Sequence, residues 1–258
     1  MFFQAISLLN FIFTATNAHG VHSPFVYRLV SECFYDRQYK PWYKACHQYR
    51  NQLLHDNSEI TVNDYGAGSK SMQSRVRRVS HIARSAGITA RRARLLGRLI
   101  TFLDVDRILE IGTSVGLATA ACSMAKPEST IVTVEGCKNT AAIAQKYFDS
   151  FKLDNIRIVP GNFDEILPEL LKEVSFDLVF IDGNHREEAT IRYFEQCLKY
   201  THNDSVFIFD DIYWSKGMQK AWQYICRHPE VSVSIDTYRW GLVFFRKEQE
   251  KEHFKIRL

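Results

Sequence analysis

A chain of 258 residues, 46% of them hydrophobic, is long enough to bury one α/β core with a small extension, and its formal charge of +4 singles out no partner by itself. Six cysteines, at positions 33, 46, 122, 137, 197 and 226, form no C-x-x-C pair and no metal-ligand spacing. This excludes a cysteine metal centre and reads as reduced core thiols of a cytoplasmic protein.

The first stretch, MFFQAISLLNFIF, is apolar but lacks the basic flank of a signal peptide and is too short to span a bilayer. It reads as an amphipathic helix that docks on the body or on a second subunit. Peripheral membrane contact is disfavoured, because the helix carries no Lys or Arg. Ser23 before Pro24 starts a second helix, Pro24 to Phe34, and His19 and His22 read as residues of a helix corner rather than as ligands. Residues 37 to 50 mix Tyr, Trp, Lys and His, which suits a lid or a helix with a solvated basic face. Residues 59 to 71, EITVNDYGAGSKS, superficially copy a nucleotide turn. Gly66-Ala67-Gly68-Ser69 reads instead as a loop, one that could close over a site. Eight arginines lie between Arg75 and Arg98, and Val76, Val79, Ile82 and Ala83 fall at helical spacing. The segment is expected to be helical with a break near Gly87 and arginines on the wet face. Their density keeps an anionic substrate, or RNA, in view.

The stretch ILEIGTSVG, Ile108 to Gly116, organises the rest of the chain. It reads as a buried strand ending near Glu110, a turn bracketed by Gly112 and Gly116 with Thr113 and Ser114 inside it, and a helix Leu117 to Ala125. Glycine at those places lets the backbone bend and a ligand approach the peptide groups. A nicotinamide fingerprint would want a third glycine where Ser114 stands, so a nucleoside ligand without a pyrophosphate fits better. Strands and helices then alternate: strand Thr130 to Val134, helix Thr140 to Phe151, strand Ile156 to Val159, helix Asp164 to Lys172, strand Phe176 to Ile181, helix Arg186 to Tyr200, strand Ser205 to Phe209 and helix Lys216 to Arg227. Val231 to Ile235 and Gly241 to Phe245 close the pattern as a hairpin. The expected fold is α/β: a Rossmann-like, seven-stranded, mostly parallel sheet with an antiparallel terminal hairpin, helices on both faces and a helical N-terminal extension. The expected divisions are an extension or lid at 1–80, a core domain at 81–247 and a charged tail at 248–258 that frays.

In such sheets ligands bind outside the carboxyl ends of the strands. Those ends carry Glu110 and Gly112, Glu135, Asn162 and Phe163, Asp182, and Asp210 with Asp211. Glu135, one β-α unit after the glycine turn, is placed to accept two ribose hydroxyls. Asn162 and Phe163 suit the edge and face of an adenine.

The pattern E-x-G-x-x-x-G resembles motif I of the class I S-adenosylmethionine-dependent methyltransferases. LEIGTSVG with Thr119, FDLVFIDGNH (176–185) and VFIFDDIYW (206–214) are most similar to the catechol and caffeoyl-coenzyme A O-methyltransferases and their bacterial relatives. The resemblance implies S-adenosylmethionine as cofactor, bound by Glu110, Gly112, Thr113, Ser114, Gly116, Glu135, Asn162, Phe163 and Asp182. It also implies a divalent cation such as magnesium on Asp182, Asp210 and Asp211, with Asp211 standing where the family has Asn. His185 stands where the family has its catalytic Lys, and Trp214 matches a position near the substrate. The implied reaction is O-methylation of a small-molecule hydroxyl, with His185 as base. The alternatives are an RNA methyltransferase, for which no RNA-binding module is recognisable, and a cofactor-binding protein without turnover.

Overall fold

The computed structural model describes residues 2–63 and 75–258. Helix α1, Phe2–Thr14, forms as the apolar N-terminus predicts. Helix α2, Pro24–Arg28, starts with proline in its first turn and the Ser23 hydroxyl accepting the Val26 N–H. It continues as a π-helical turn, Leu29–Phe34. Helix α3, Trp42–His55, comes next. Strands β1, Glu59–Thr61, and β2, Val76–Arg78, then pair antiparallel, Glu59 opposite Arg78. This corrects the helix expected from Arg75 onward. The helical spacing of Val76, Val79 and Ile82 is real, but the first of them is claimed by a strand partner some fifteen residues upstream. Gly66-Ala67-Gly68-Ser69 lies outside the described residues.

Helices α4, Val79–Ser85, and α5, Ala90–Phe102, follow, with the break near Gly87 where it was expected. The alternation then begins: β3 Arg107–Ile111, α6 Leu117–Ala125, β4 Thr130–Glu135, α7 Lys138–Ser150, β5 Ile156–Pro160, α8 Phe163–Glu173, β6 Leu178–Ile181, α9 Glu187–Leu198, β7 Val206–Asp210, α10 Lys216–Arg227, β8 Val233–Asp236 and β9 Trp240–Phe244. An eighth strand of the alternating region, β10, Glu252–Lys255, closes the chain. It runs parallel to β8, with Glu252 opposite Val233 and Lys255 opposite Asp236. The charged tail therefore does not fray. Ile256, just beyond it, is fully buried and bridges Thr16. The class is α/β, mostly parallel, with the antiparallel β8–β9 pair as the expected hairpin.

The chain forms two compact units: residues 37–169 make one, and residues 1–36 with 170–258 the other. In the 37–169 unit the strands lie in the order β3-β4-β5, all parallel. Ile108, Leu109, Ile111, Ile131 and Val134 on these strands are buried, as are Leu96, Leu99 and Ile100 on α5. In the other unit the order is β10-β8-β9-β7-β6, with β6 and β7 parallel and β9 antiparallel to both its neighbours. Val206 to Phe209 are buried without alternation, as befits a central strand covered on both faces. Among the described residues no helix is long and apolar enough to cross a membrane.

Candidate active site

In the 37–169 unit the glycine turn forms as the sequence predicts. Gly112 (φ 107°), Ser114 (φ 50°) and Gly116 (φ 76°) all have positive φ. Only glycine adopts that conformation without strain, and Ser114 is held in it by its neighbours. The Gly112 and Thr113 N–H groups donate to the Val134 carbonyl, 2.9 and 3.3 Å, which ties the turn to the end of β4. The Ser114 N–H donates to Glu135 Oε2 at 2.8 Å, and the Cys137 N–H donates to Oε1 at 2.9 Å. Glu135 is thus aimed by two backbone groups.

Glu110 sits deeper. It is buried, and its Oε2 accepts the hydroxyls of Thr119 on α6 and Thr133 on β4. Thr113 and Thr133 share a further hydrogen bond of 2.6 Å. Glu110 therefore ties β3 to α6 and β4. Its Oε1 has no hydrogen-bond partner among the described residues. Burial, opposed by the two hydroxyls and reinforced by the Glu135 charge, pushes the carboxyl up to about 7.

The 37–169 unit also supplies a residue that sequence reasoning missed. The Tyr49 hydroxyl, from α3, donates to the Val115 carbonyl at 3.1 Å. Its buried ring packs on Tyr147, Phe148 and Phe151, with centroids 5.8, 6.3 and 5.1 Å away. Part of the expected lid is thus a brace behind the glycine turn. Nothing in RQYKPWYKACHQYR distinguishes Tyr49 from its neighbours, because its partner lies 66 residues on. Asn162 caps its own helix: its amide oxygen accepts the Asp164 N–H at 3.1 Å and its Nδ2 leans 3.5 Å from Glu165. Phe163, half-buried, is the first residue of α8. None of the eight arginines is buried, and Arg75, Arg78, Arg84, Arg91 and Arg94 are exposed, as expected, though some also touch the protein. Arg94 lies over the Tyr43 ring at 4.9 Å, Arg98 donates to the Tyr43 hydroxyl at 3.1 Å, and Arg78 pairs with Glu59.

In the other unit β6 and β7 are neighbours in register, Ile181 opposite Phe209. Asp182 and Asp210 therefore occupy equivalent positions at the carboxyl ends of adjacent strands. His185 Nε2 lies 3.7 Å from Asp182 Oδ1, and its ring centre is 6.3 Å from that of Trp214. So Asp182, His185 and Trp214 do gather. Asp211 (φ 49°) turns differently: its Oδ1 lies 3.4 Å from Arg239 Nη1. Among the described residues no three His, Cys, Asp or Glu side chains are grouped to hold a metal ion. The donor set Asp182, Asp210 and Asp211 does not fit the implied cation, since a guanidinium already faces one of its carboxylates.

Two more residues missing from the sequence reading stand beside this cluster. Tyr213 donates to Asp236 at 2.6 Å and stacks on Tyr238, centroids 5.2 Å apart. Burial and the neighbouring Asp236 push the Tyr213 phenol far up, so it is a donor that keeps its proton. Helix α1 reaches the same place: Gln4 Nε2 donates to the Trp214 carbonyl at 3.1 Å, and the Tyr238 hydroxyl donates to the Gln4 carbonyl at 2.8 Å.

Residues 109–212 match the family model described as a methyltransferase domain. This stretch, less than half of the chain, is similar to a methyltransferase domain. No curated protein matches the chain. Solved structures are similar in fold. A methyltransferase of Podospora anserina with S-adenosylhomocysteine bound is 14% identical, with a TM-score of 0.59 over 88% of this chain and 97% of that one. The O-methyltransferase TomG from Streptomyces achromogenes, in complex with SAM, is 17% identical, with a TM-score of 0.57 over 81% and 91%. An O-methyltransferase from Bacillus cereus in complex with SAH is 18% identical, with a TM-score of 0.54 over 82% and 94%. These likenesses bear out the Rossmann-like methyltransferase fold expected from LEIGTSVG and the strand ends.

Proposed function

We propose that this protein moves a methyl group from S-adenosylmethionine to a hydroxyl of a small molecule. The observation that carries the reading is Glu135, fixed by the Ser114 and Cys137 N–H groups at the end of β4, immediately beside the turn Gly112–Gly116. A carboxylate held this way is a ready acceptor for the two hydroxyls of a ribose. S-adenosylmethionine, when bound, supplies an electrophilic methyl on a sulfonium, so the protein has to orient an acceptor oxygen and take away its proton. Gly112, Thr113, Ser114 and Gly116 shape the turn, Glu110 braces it from below, and Asn162 and Phe163 stand at the start of α8 for the base.

For the proton we propose His185, the base that the family resemblance implies. Asp182 Oδ1 lies 3.7 Å from its Nε2, so a carboxylate stands beside the ring. No step is routed through a cation. The bound molecules in the Streptomyces and Bacillus structures and their description as O-methyltransferases support the cofactor and the oxygen acceptor. Titration calorimetry with S-adenosylhomocysteine is the test. Glu135→Ala is expected to weaken binding by roughly 1–3 kcal/mol, the usual loss for a buried or charged acceptor, and to lower the melting temperature as well, because the Ser114 and Cys137 N–H groups lose their acceptor. Unchanged affinity removes Glu135 from the site, and binding of NAD in its place overturns the class.

A further inference from the structure

The inner face of α1 is docked. Ser7 and Phe11 are buried, Gln4 is bonded to Trp214 and Tyr238, and the Phe11 ring lies 5.7 Å from that of Tyr238. At 100° per residue, Phe2, Ile6, Leu9 and Phe13 fall on the face directly opposite. Their spacing of four, three and four residues is that of the a and d positions of a heptad seam. They are 83%, 51%, 56% and 85% exposed, with Leu8 and Ile12 half-open along one flank. The six leave on the order of 700 Å² of apolar surface uncovered on one helix, against about 800 Å² that each partner contributes to a standard interface and the few hundred that a monomer ordinarily leaves open.

We infer that the outer face of α1 is a self-association surface, and that its occupant is the same helix of a second copy of this chain. Three features select that occupant. The seam spacing suits a like helix, and a two-fold contact needs a surface that matches itself. The area is that of one half of a stable pair. The helix carries no charged residue, so two copies of a chain with net charge +4 meet there without repulsion. A membrane interface is the weaker occupant, because helices that lie in it carry Lys or Arg along the polar border, and α1 has none. The inner face holds Gln4 on the Trp214 carbonyl, so pairing also fixes α1 against the Asp182, His185 and Trp214 cluster.

The test is sedimentation velocity of the full chain at micromolar concentration. The parent is expected to be a dimer, and Leu9→Glu with Phe13→Glu a monomer of unchanged affinity for S-adenosylhomocysteine. Leu9→Gln alone is the milder variant and raises the dimer dissociation constant about tenfold or more, with circular dichroism as the check on folding. A parent that sediments as a monomer overturns the inference, as does a charged variant that remains a dimer. Flotation of the parent with vesicles of phosphatidylcholine, alone or with phosphatidylserine, is expected to leave it unbound; binding that Leu9→Gln abolishes, without a dimer in solution, assigns the face to a membrane and rejects the pair.

Discussion

Gly116→Ala is expected to cost roughly 2–5 kcal/mol of stability, the sum of a left-handed backbone for a residue with a Cβ and an overpacked core position. Gly116 has φ 76° and precedes the first residue of α6. A Cβ built there would lie 2.5 Å from the Phe148 ring and 2.8 Å from the Tyr49 hydroxyl. Neither neighbour is free to withdraw: both are buried, and Tyr49 is tied to the Val115 carbonyl. The loss is a large part of the margin of an ordinary domain, so the variant is expected to unfold at a markedly lower urea concentration. In a Tyr49→Phe background the added cost of the alanine should shrink, because the hydroxyl it meets is gone. A double-mutant cycle reads that coupling directly. If the two substitutions add without coupling, α3 does not brace the glycine turn.

Most of the fold was legible because its elements are long and periodic. The strand, turn and helix from Ile108 to Ala125 form where the apolar run and the two glycines put them, and α10 keeps its expected ends because Ser215 caps it through the Met218 N–H. The elements that escaped were set by distant partners. Strand β2 has only three residues, and its pairing with Glu59–Thr61 decides its state. Strand β10 looks like a solvated tail until β8 supplies a ladder and Ile256 finds a buried place. The site divides the same way. The place of Glu135 beside the glycine turn was legible from its distance to that turn. Tyr49 and the contact of Arg239 with Asp211 were not, because each joins residues far apart in sequence whose meeting no local pattern announces. The cation expected on Asp182, Asp210 and Asp211 came from the family resemblance, and no local pattern announced that Asp211 Oδ1 lies 3.4 Å from Arg239 Nη1.

Glu110 should make the protein lose stability as the pH rises from acid to neutral. Its carboxyl is buried, and in the folded chain it is raised from 4.5 to about 7. Below the unfolded value both states are protonated, and the buried acid costs nothing. Between the two values the unfolded chain releases a proton that the folded chain keeps, so stability falls as pH rises and levels off above the folded value. The total loss is on the order of 2–4 kcal/mol between about pH 4.5 and 8. Glu110→Gln removes the titration and keeps an oxygen to accept the Thr119 and Thr133 hydroxyls. The measurement is the difference in unfolding free energy between parent and variant across that range. It should favour the parent most at acid pH and decline by the stated amount toward pH 8. Subtracting the variant cancels every other group that titrates. A difference that stays level with pH would mean that Glu110 is ionised in the fold throughout, and that the free Oε1 is satisfied by something other than a proton.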